Sequence, residues 1–159
     1  MKRPAILLIS IVLALGGGGF WYLNQPAKKI DRTVDRLFDA IEHKKISLTP
    51  PGDPRQLISE IFTEKVTVSG IPQISDDPIS REVLAKKLKT FHELTTLCEI
   101  KELTRSVKVN GSKAEASRST TMTVAAGPRF KSEETWNLTF ELEKSDHWRI
   151  IAIQAKKTK

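Results

Sequence analysis

Cysteine is almost absent, since Cys98 is the one thiol in 159 residues. A lone cysteine excludes an intrachain disulfide, so the redox state of the compartment leaves no mark on the sequence. Set in an apolar-rich stretch, it reads as a small buried side chain. None of the first 30 residues is cysteine, which excludes a lipidated N-terminal cysteine. Tyrosine is equally scarce: Tyr22 is the only one, and it falls in the first apolar run. The globular part therefore has no phenol for acid–base work. The three histidines, His43, His92 and His147, have no metal-ligand spacing among themselves or with Cys98. His43 is expected at a helix end, where a cation suits the dipole, and His147 in a turn. No glycine-rich phosphate loop follows a strand, because Gly16 to Gly19 lies inside the apolar run. No metal, cofactor or catalytic set is expected. Internal repeats and low-complexity segments are also missing.

An excess of charge of one sign is lacking in the folded part. The formal charge of +7 would suit nucleic acid, but residues 1 to 29 hold four basic side chains and no acid. The remainder has 22 basic and 19 acidic residues, with Lys156, Lys157 and Lys159 at the very end. That leaves no basic stripe to follow a phosphate backbone, so nucleic acid is not an expected partner. Length and composition suit one globular domain.

Pro4 to Leu23 carries no charge. A helix needs about 20 apolar residues to cross a bilayer. Two readings stand. Residues 4–23 stay as a membrane anchor, favoured by Phe20, Trp21 and Tyr22 at headgroup level. Alternatively, Ala5 to Leu15 is the core of a secretory signal cleaved among the small residues Ala14 to Gly19. Either way residues 1–29 form the anchor or signal segment, and residues 30–157 the domain. The expected location is the cytoplasmic membrane, single-pass with the domain outside, or secretion after cleavage.

Ile30, Val34, Leu37, Phe38 and Ile41 form one face of a first helix, predicted from Ile30 to Lys44, with Asp31, Asp35, Arg36, Asp39 and Glu42 on the other. The Thr-Pro-Pro-Gly at 49–52 breaks it. Asp53 is a predicted N-cap, with Pro54 at N1 and Gln56 completing a capping box; Leu57, Ile58, Ile61 and Phe62 form the second helix's apolar face. A short strand follows at Lys65 to Ser69. Ser80 caps a third helix, with Ile79 and Leu84 as a hydrophobic staple and Val83, Leu84, Leu88 and Phe91, extended by Leu94 or Leu97, on its apolar face. His92 is expected at that helix's surface or at its boundary with the core.

From about Leu97 the period changes to two, and four strands are predicted. The clearest is Phe130 to Leu142, with Phe130, Ser132, Glu134, Trp136, Leu138, Phe140 and Leu142 on one side and Lys, Glu, Thr and Asn on the other. Asn110-Gly111 marks a hairpin that would pair Leu103 with Arg118 and Val107 with Ala114. A turn near Ala126-Gly127-Pro128, read as three residues, would pair Val124 with Phe130, Thr120 with Glu134 and Arg118 with Trp136. Leu103, Val107, Ala114, Ala116, Met122, Val124, Phe130, Trp136, Leu138 and Phe140 then share one dry face. His147 to Ala155 is apolar on both sides and reads as a covered strand.

Helix, helix, short strand, long helix and four-stranded meander, with Ala40-Ile41, Ser80 to Phe91, Trp136 and Trp148-Arg149-Ile150, resemble the nuclear transport factor 2-like superfamily. The likeness is to its SnoaL-like and ketosteroid-isomerase-like branches and covers roughly residues 30 to 156. It implies an α+β cone, a curved antiparallel sheet wrapped around a long helix, with a pocket at the open end. Some members are enzymes and many only bind. Inner-membrane assembly components of type IV secretion systems have a similar layout of one span and one such domain. The isomerase-like members' tyrosine has no counterpart here, since Tyr22 lies in the apolar run; for the cyclase-like members' pocket His the resemblance offers His92, beside Phe91 in the third helix, facing either way.

Arg105, Arg118, Glu134 and Trp136 are the candidate ligand-binding residues, as polar or cation-stacking groups on the dry face. Arg118 is expected to pair with Glu134 and lie against Trp136. Two readings follow: a pocket floor for an anionic or polar ligand, or a structural ion pair near the edge of the cone. The expected role is a non-enzymatic binding or assembly module, with the membrane through residues 4–23, and with a protein partner, a homodimer or a small apolar or anionic ligand. The alternative is an isomerase- or cyclase-like enzyme using Glu134 and Arg118.

Overall fold

The computed structural model describes residues 25–44, 53–72, 74 and 77–158. The apolar segment 4–23 and the break at 49–52 lie outside them. Among the described residues no helix is long and apolar enough to cross a membrane.

The first helix, α1, spans Pro26–Ile41. It starts four residues ahead of the predicted Ile30 because Pro26 sits at N1, where its missing N–H costs nothing. Ile30, Val34, Leu37 and Phe38 are buried as their spacing requires. It stops three residues short of Lys44, since His43–Lys44 is a two-residue strand, β1, paired with Leu97 and Cys98. Helix α2 is Pro54–Ile61, and the Asp53 carboxylate accepts from the Arg55 N–H. The expected capping box does not form: the Gln56 amide turns instead to Glu60, 3.4 Å away. Phe62, expected on the helix, opens strand β2 (Phe62–Ser69) and is buried. Strand β3 (Ile79–Ser80) precedes α3 (Arg81–Leu94), which Ser80 caps by accepting from the Val83 N–H. Val83 and Leu94 face solvent and Leu97 opens the next strand, corrections to their places on the apolar face.

The long strands are β4 (Leu97–Asn110), β5 (Lys113–Ala125), β6 (Lys131–Lys144) and β7 (Trp148–Lys157). The sheet order is β1-β4-β5-β6-β7-β2-β3. All pairings are antiparallel except β2 with β7, which is parallel. Strand β7 is thus flanked on both sides, which explains its unbroken apolar run. Where β2 leaves β7, Gly70 has φ +79°, and a Cβ there would sit 1.8 Å from the Ala155 carbonyl oxygen. Only glycine fits.

Both predicted hairpin registers are off by two residues. The β4–β5 turn is Gly111-Ser112, with Asn110 opposite Lys113 and Gly111 at φ 60°. In the β5–β6 turn the Ala126 N–H bonds the Phe130 carbonyl around Gly127-Pro128-Arg129. A two-residue shift preserves the face of every side chain, because the strand period is two. It changes every partner, however. Arg118 lies opposite Leu138, Trp136 opposite Thr120, and Glu134 opposite Met122.

A bulge makes a second correction. Strand β4 pairs Thr104 with Ser119 and then Glu102 with Thr120, so Leu103 is an extra residue. One inserted residue reverses the alternation beyond it. Leu103, expected in the dry set, is 50% exposed, and Glu102 takes the inward position instead. Phe130, also expected dry, stands in the turn and is 54% exposed.

Helix α1 lies across one face of the sheet, touching β4, β5 and β7. The Phe38 and Phe140 rings meet edge to face at 6.0 Å. Ala114, Ala116, Phe140 and Leu142 form the floor, with Trp148 and Ile150 beside them. Burying a side chain like Phe140 contributes about 2–3 kcal/mol.

Candidate functional site

Ala114, Ala116, Arg118 and Thr120 alternate inward along β5, so the inner face carries an arginine in a row of small residues. The small neighbours leave room for its long side chain to lie flat under α1. The Arg118 side chain has no exposed surface. A buried guanidinium is tolerable only when its donors are satisfied. Here Asp31 of α1 accepts from one terminal nitrogen in a short contact. The other terminal nitrogen donates to the Ser117 carbonyl at 3.0 Å and the Ser106 carbonyl at 3.4 Å. Its Nε lies 3.1 Å from a Glu102 oxygen, an ion pair off the line of a hydrogen bond.

The network then runs outward. The second Glu102 oxygen accepts from Arg105 Nε, and Arg105 lies directly opposite Arg118 in the sheet. Arg105 also reaches Asp35, one helical turn beyond Asp31, at 3.8 Å. Three carboxylates thus surround two guanidiniums on a path from the sealed interior to a half-exposed rim. Burial lifts the Asp35 carboxyl above its ordinary range, against the pull of Arg105 and Arg118. The Glu102 hydrogen bond raises Arg105 further. Next to Arg118 the Thr120 hydroxyl is fully buried without a hydrogen-bond partner among the described residues.

Glu134 and Trp136 sit elsewhere. Glu134 is four residues along β6 from the partner of Arg118, about 14 Å at 3.4 Å per residue. Its carboxylate pairs with Lys157 at 2.8 Å, and that contact holds it below the ordinary carboxylate range. Trp136 lies between Thr120 and Lys157 and is half-buried. The expected Arg118–Glu134 pair and the Arg118–Trp136 stack therefore do not form. The structure joins Arg105 to Arg118 through Glu102, and leaves Glu134 with Trp136 as a separate pair of neighbours.

The sequence reading missed Asp31, Asp35 and Glu102 as members. Asp31 and Asp35 stand at i and i+4 beside the dry stripe of α1, a boundary position that was legible. Glu102 had no such signal, because only the bulge turns it inward.

A smaller polar cluster closes the far end of α1. His43 Nδ1 is 3.2 Å from the Ile41 carbonyl, and its Nε2 is 2.9 Å from the Thr95 hydroxyl. His92 Nε2 reaches the same Ile41 carbonyl at 3.3 Å, and His92 is half-buried, at the boundary. Burial, then the neighbouring His43, lowers the His92 pKa. Cys98 is buried beside them, and desolvation pushes its thiol up to about 11. Among the described residues no three His, Cys, Asp or Glu side chains are grouped to hold a metal ion.

At sequence level no family model and no curated protein matches the chain. Solved structures do. An NTF2-like protein with a cystatin-like fold from Novosphingobium aromaticivorans matches with a TM-score of 0.62 at 16% identity, covering 87% of this chain and 85% of that one. A protein from Streptomyces avermitilis, named as a candidate dehydratase of the NTF2-like family, matches with a TM-score of 0.67 at 14% identity, over 84% of this chain and 96% of that one. An NTF2-like protein from Cytophaga hutchinsonii gives 0.58 at 10% identity, over 81% and 95%. These likenesses, together with the seven-stranded sheet packed against α1, establish that the chain has the nuclear transport factor 2-like, cystatin-like α+β fold.

Proposed function

We propose that the chain is a non-enzymatic binding or assembly module of this fold, held at the outer side of a cytoplasmic membrane, or exported, by residues 4–23. One observation carries this reading. The distinctive cation of the concave face, Arg118, is occupied by the chain's own Asp31, Glu102 and two carbonyls rather than offered to a ligand. A catalytic or ligand-recognising arginine needs donors left open toward the substrate.

Native mass spectrometry of the purified full chain tests it. The binding-module reading expects the mass of the chain or of its protein complexes alone. A co-purifying small anion that disappears in Arg118→Met would overturn it. Alkaline extraction of membranes tests the tether. A retained anchor keeps the chain in the pellet, and a cleaved signal releases a shortened chain.

The second reading is a pocket enzyme. It is favoured by neighbours of this fold named as candidate dehydratases. In that case Glu134 and Trp136 at the cone's edge would serve it. A carboxylate held low by Lys157 is a weak base. Glu134→Gln separates the readings, because an enzyme loses turnover while remaining folded and a module changes only in stability.

A further inference from the structure

We propose that the basic flank of α1 and the β6–β7 turn form a docking surface for anionic lipid headgroups, which sets the domain down on the membrane that holds its tether. The proposal rests on the anchored reading above. Between α1, the end of α2 and this turn lies an open groove of about 480 Å³. Ile61 and Trp148, both buried, form its floor. Lys29, Arg32 and Arg36 line one wall at i, i+3 and i+7 of α1, and Lys144 and His147 line the other.

Two acids share the groove, and both are already engaged. Glu60 pairs with Arg36 at 3.6 Å. Asp146 pairs with Arg149 at 3.0 Å and lies 2.9 Å from His147. Among the described residues, no ion pair engages Lys29, Arg32 or Lys144, and all three are exposed. Three unmatched cations on long flexible arms, facing one opening, suit a layer of anions better than a single enclosed one.

Chain continuity names the occupant. The apolar run ends at Leu23 and α1 begins at Pro26. Three residue steps span at most about 10 Å, close to the Debye length at moderate salt. If residues 4–23 lie in the bilayer, the first turns of α1 stay within electrostatic reach of its headgroups. Each basic side chain near an anionic leaflet strengthens association about fivefold.

The test reconstitutes the full chain with vesicles of phosphatidylcholine, and of phosphatidylcholine with about 30% phosphatidylglycerol. Flotation reads the anchor, and site-resolved lysine acetylation reads the docking. The chain is expected to float with both. Acetylation of Lys29 and Lys144 is expected to slow about fivefold on anionic vesicles only, and to recover at about 0.5 M NaCl. Lys101 and Lys108, exposed on β4, serve as controls that do not change. In Arg32→Glu/Lys144→Glu, checked for folding by its thermal transition, Lys29 should lose its protection. Equal acetylation on both vesicles overturns the docking while leaving the anchor intact. Equal protection by inorganic phosphate on neutral vesicles also overturns it, making the groove a free-anion site. Flotation with anionic vesicles alone supports the docking and removes the anchor, and flotation with neither removes both.

Discussion

The two flanks of α1 carry opposite charge and meet opposite fates. On one flank Asp31 and Asp35 point to the sheet and are consumed by Arg118 and Arg105. On the other, Lys29 and Arg32 face a groove whose acids are already taken. The dry stripe of Ile30, Val34, Leu37 and Phe38 separates them. One flank ties the helix to the sheet, and Lys29 and Arg32 on the other have no ion pair among the described residues. The difference teaches that a charge on a helix acquires its meaning from the wall it faces.

The largest break of this comparison comes from the acidic flank. Asp31→Ala leaves the sealed Arg118 short of its best partner and should cost about 3 kcal/mol in urea unfolding. A loss below about 0.5 kcal/mol, the level of an ordinary surface change, would put the two flanks on equal terms. Arg118→Met with Asp31 and Glu102 made neutral should recover most of the loss, because an apolar replacement of a whole buried ion group is often neutral.

A smaller effect is expected where α1 ends. The folded His92 pKa lies below the ordinary 6.5, so the unfolded chain binds more protons in that range. Its stabilisation is complete above 6.5 and is lost as pH falls through the folded value. Thermal melts between pH 7.5 and 5 should show this slope in the natural chain and a shallower one in His92→Gln.

Asp35 works in the reverse sense. Its folded pKa is raised above the ordinary 3.8 by burial, so its contribution is fully present below that value and is lost as pH rises through the folded one. Asp35→Asn should therefore match or exceed the natural chain's melting temperature at pH 7, with the gap closing near pH 3.5. A clear loss at pH 7 would show that Arg105 outweighs desolvation. The smallest change belongs to the basic flank: Arg32→Ala and Lys144→Ala should each alter stability by no more than about 0.5 kcal/mol, since no partner is lost.

Much of this fold was legible from side-chain period alone. The α1 stripe, the Ser80 and Asp53 caps and the four-strand meander follow from spacing, because burial on one face selects period 3.6 or 2. The hairpins kept their facing and lost their register, since facing depends only on parity whereas register depends on where each turn closes. Arg105 and Arg118 were found as inward polar residues by the same parity. Their partners were not, because partners depend on register, on the Leu103 bulge and on the seating of α1.

The sequence by itself determined which residues alternate, where α2 and α3 start, and that Pro4 to Leu23 is an uncharged run long enough to span a bilayer. Local propensity and burial period are properties of neighbours in the chain, so they can be read there. Only the tertiary structure decided that Arg118 is closed by Asp31 and Glu102, that Glu134 belongs to Lys157, and that three cations beside α1 stay unmatched among the described residues. Those outcomes compare residues far apart in the chain. They turn on a single inserted residue, Leu103, and on which wall each flank of one helix meets.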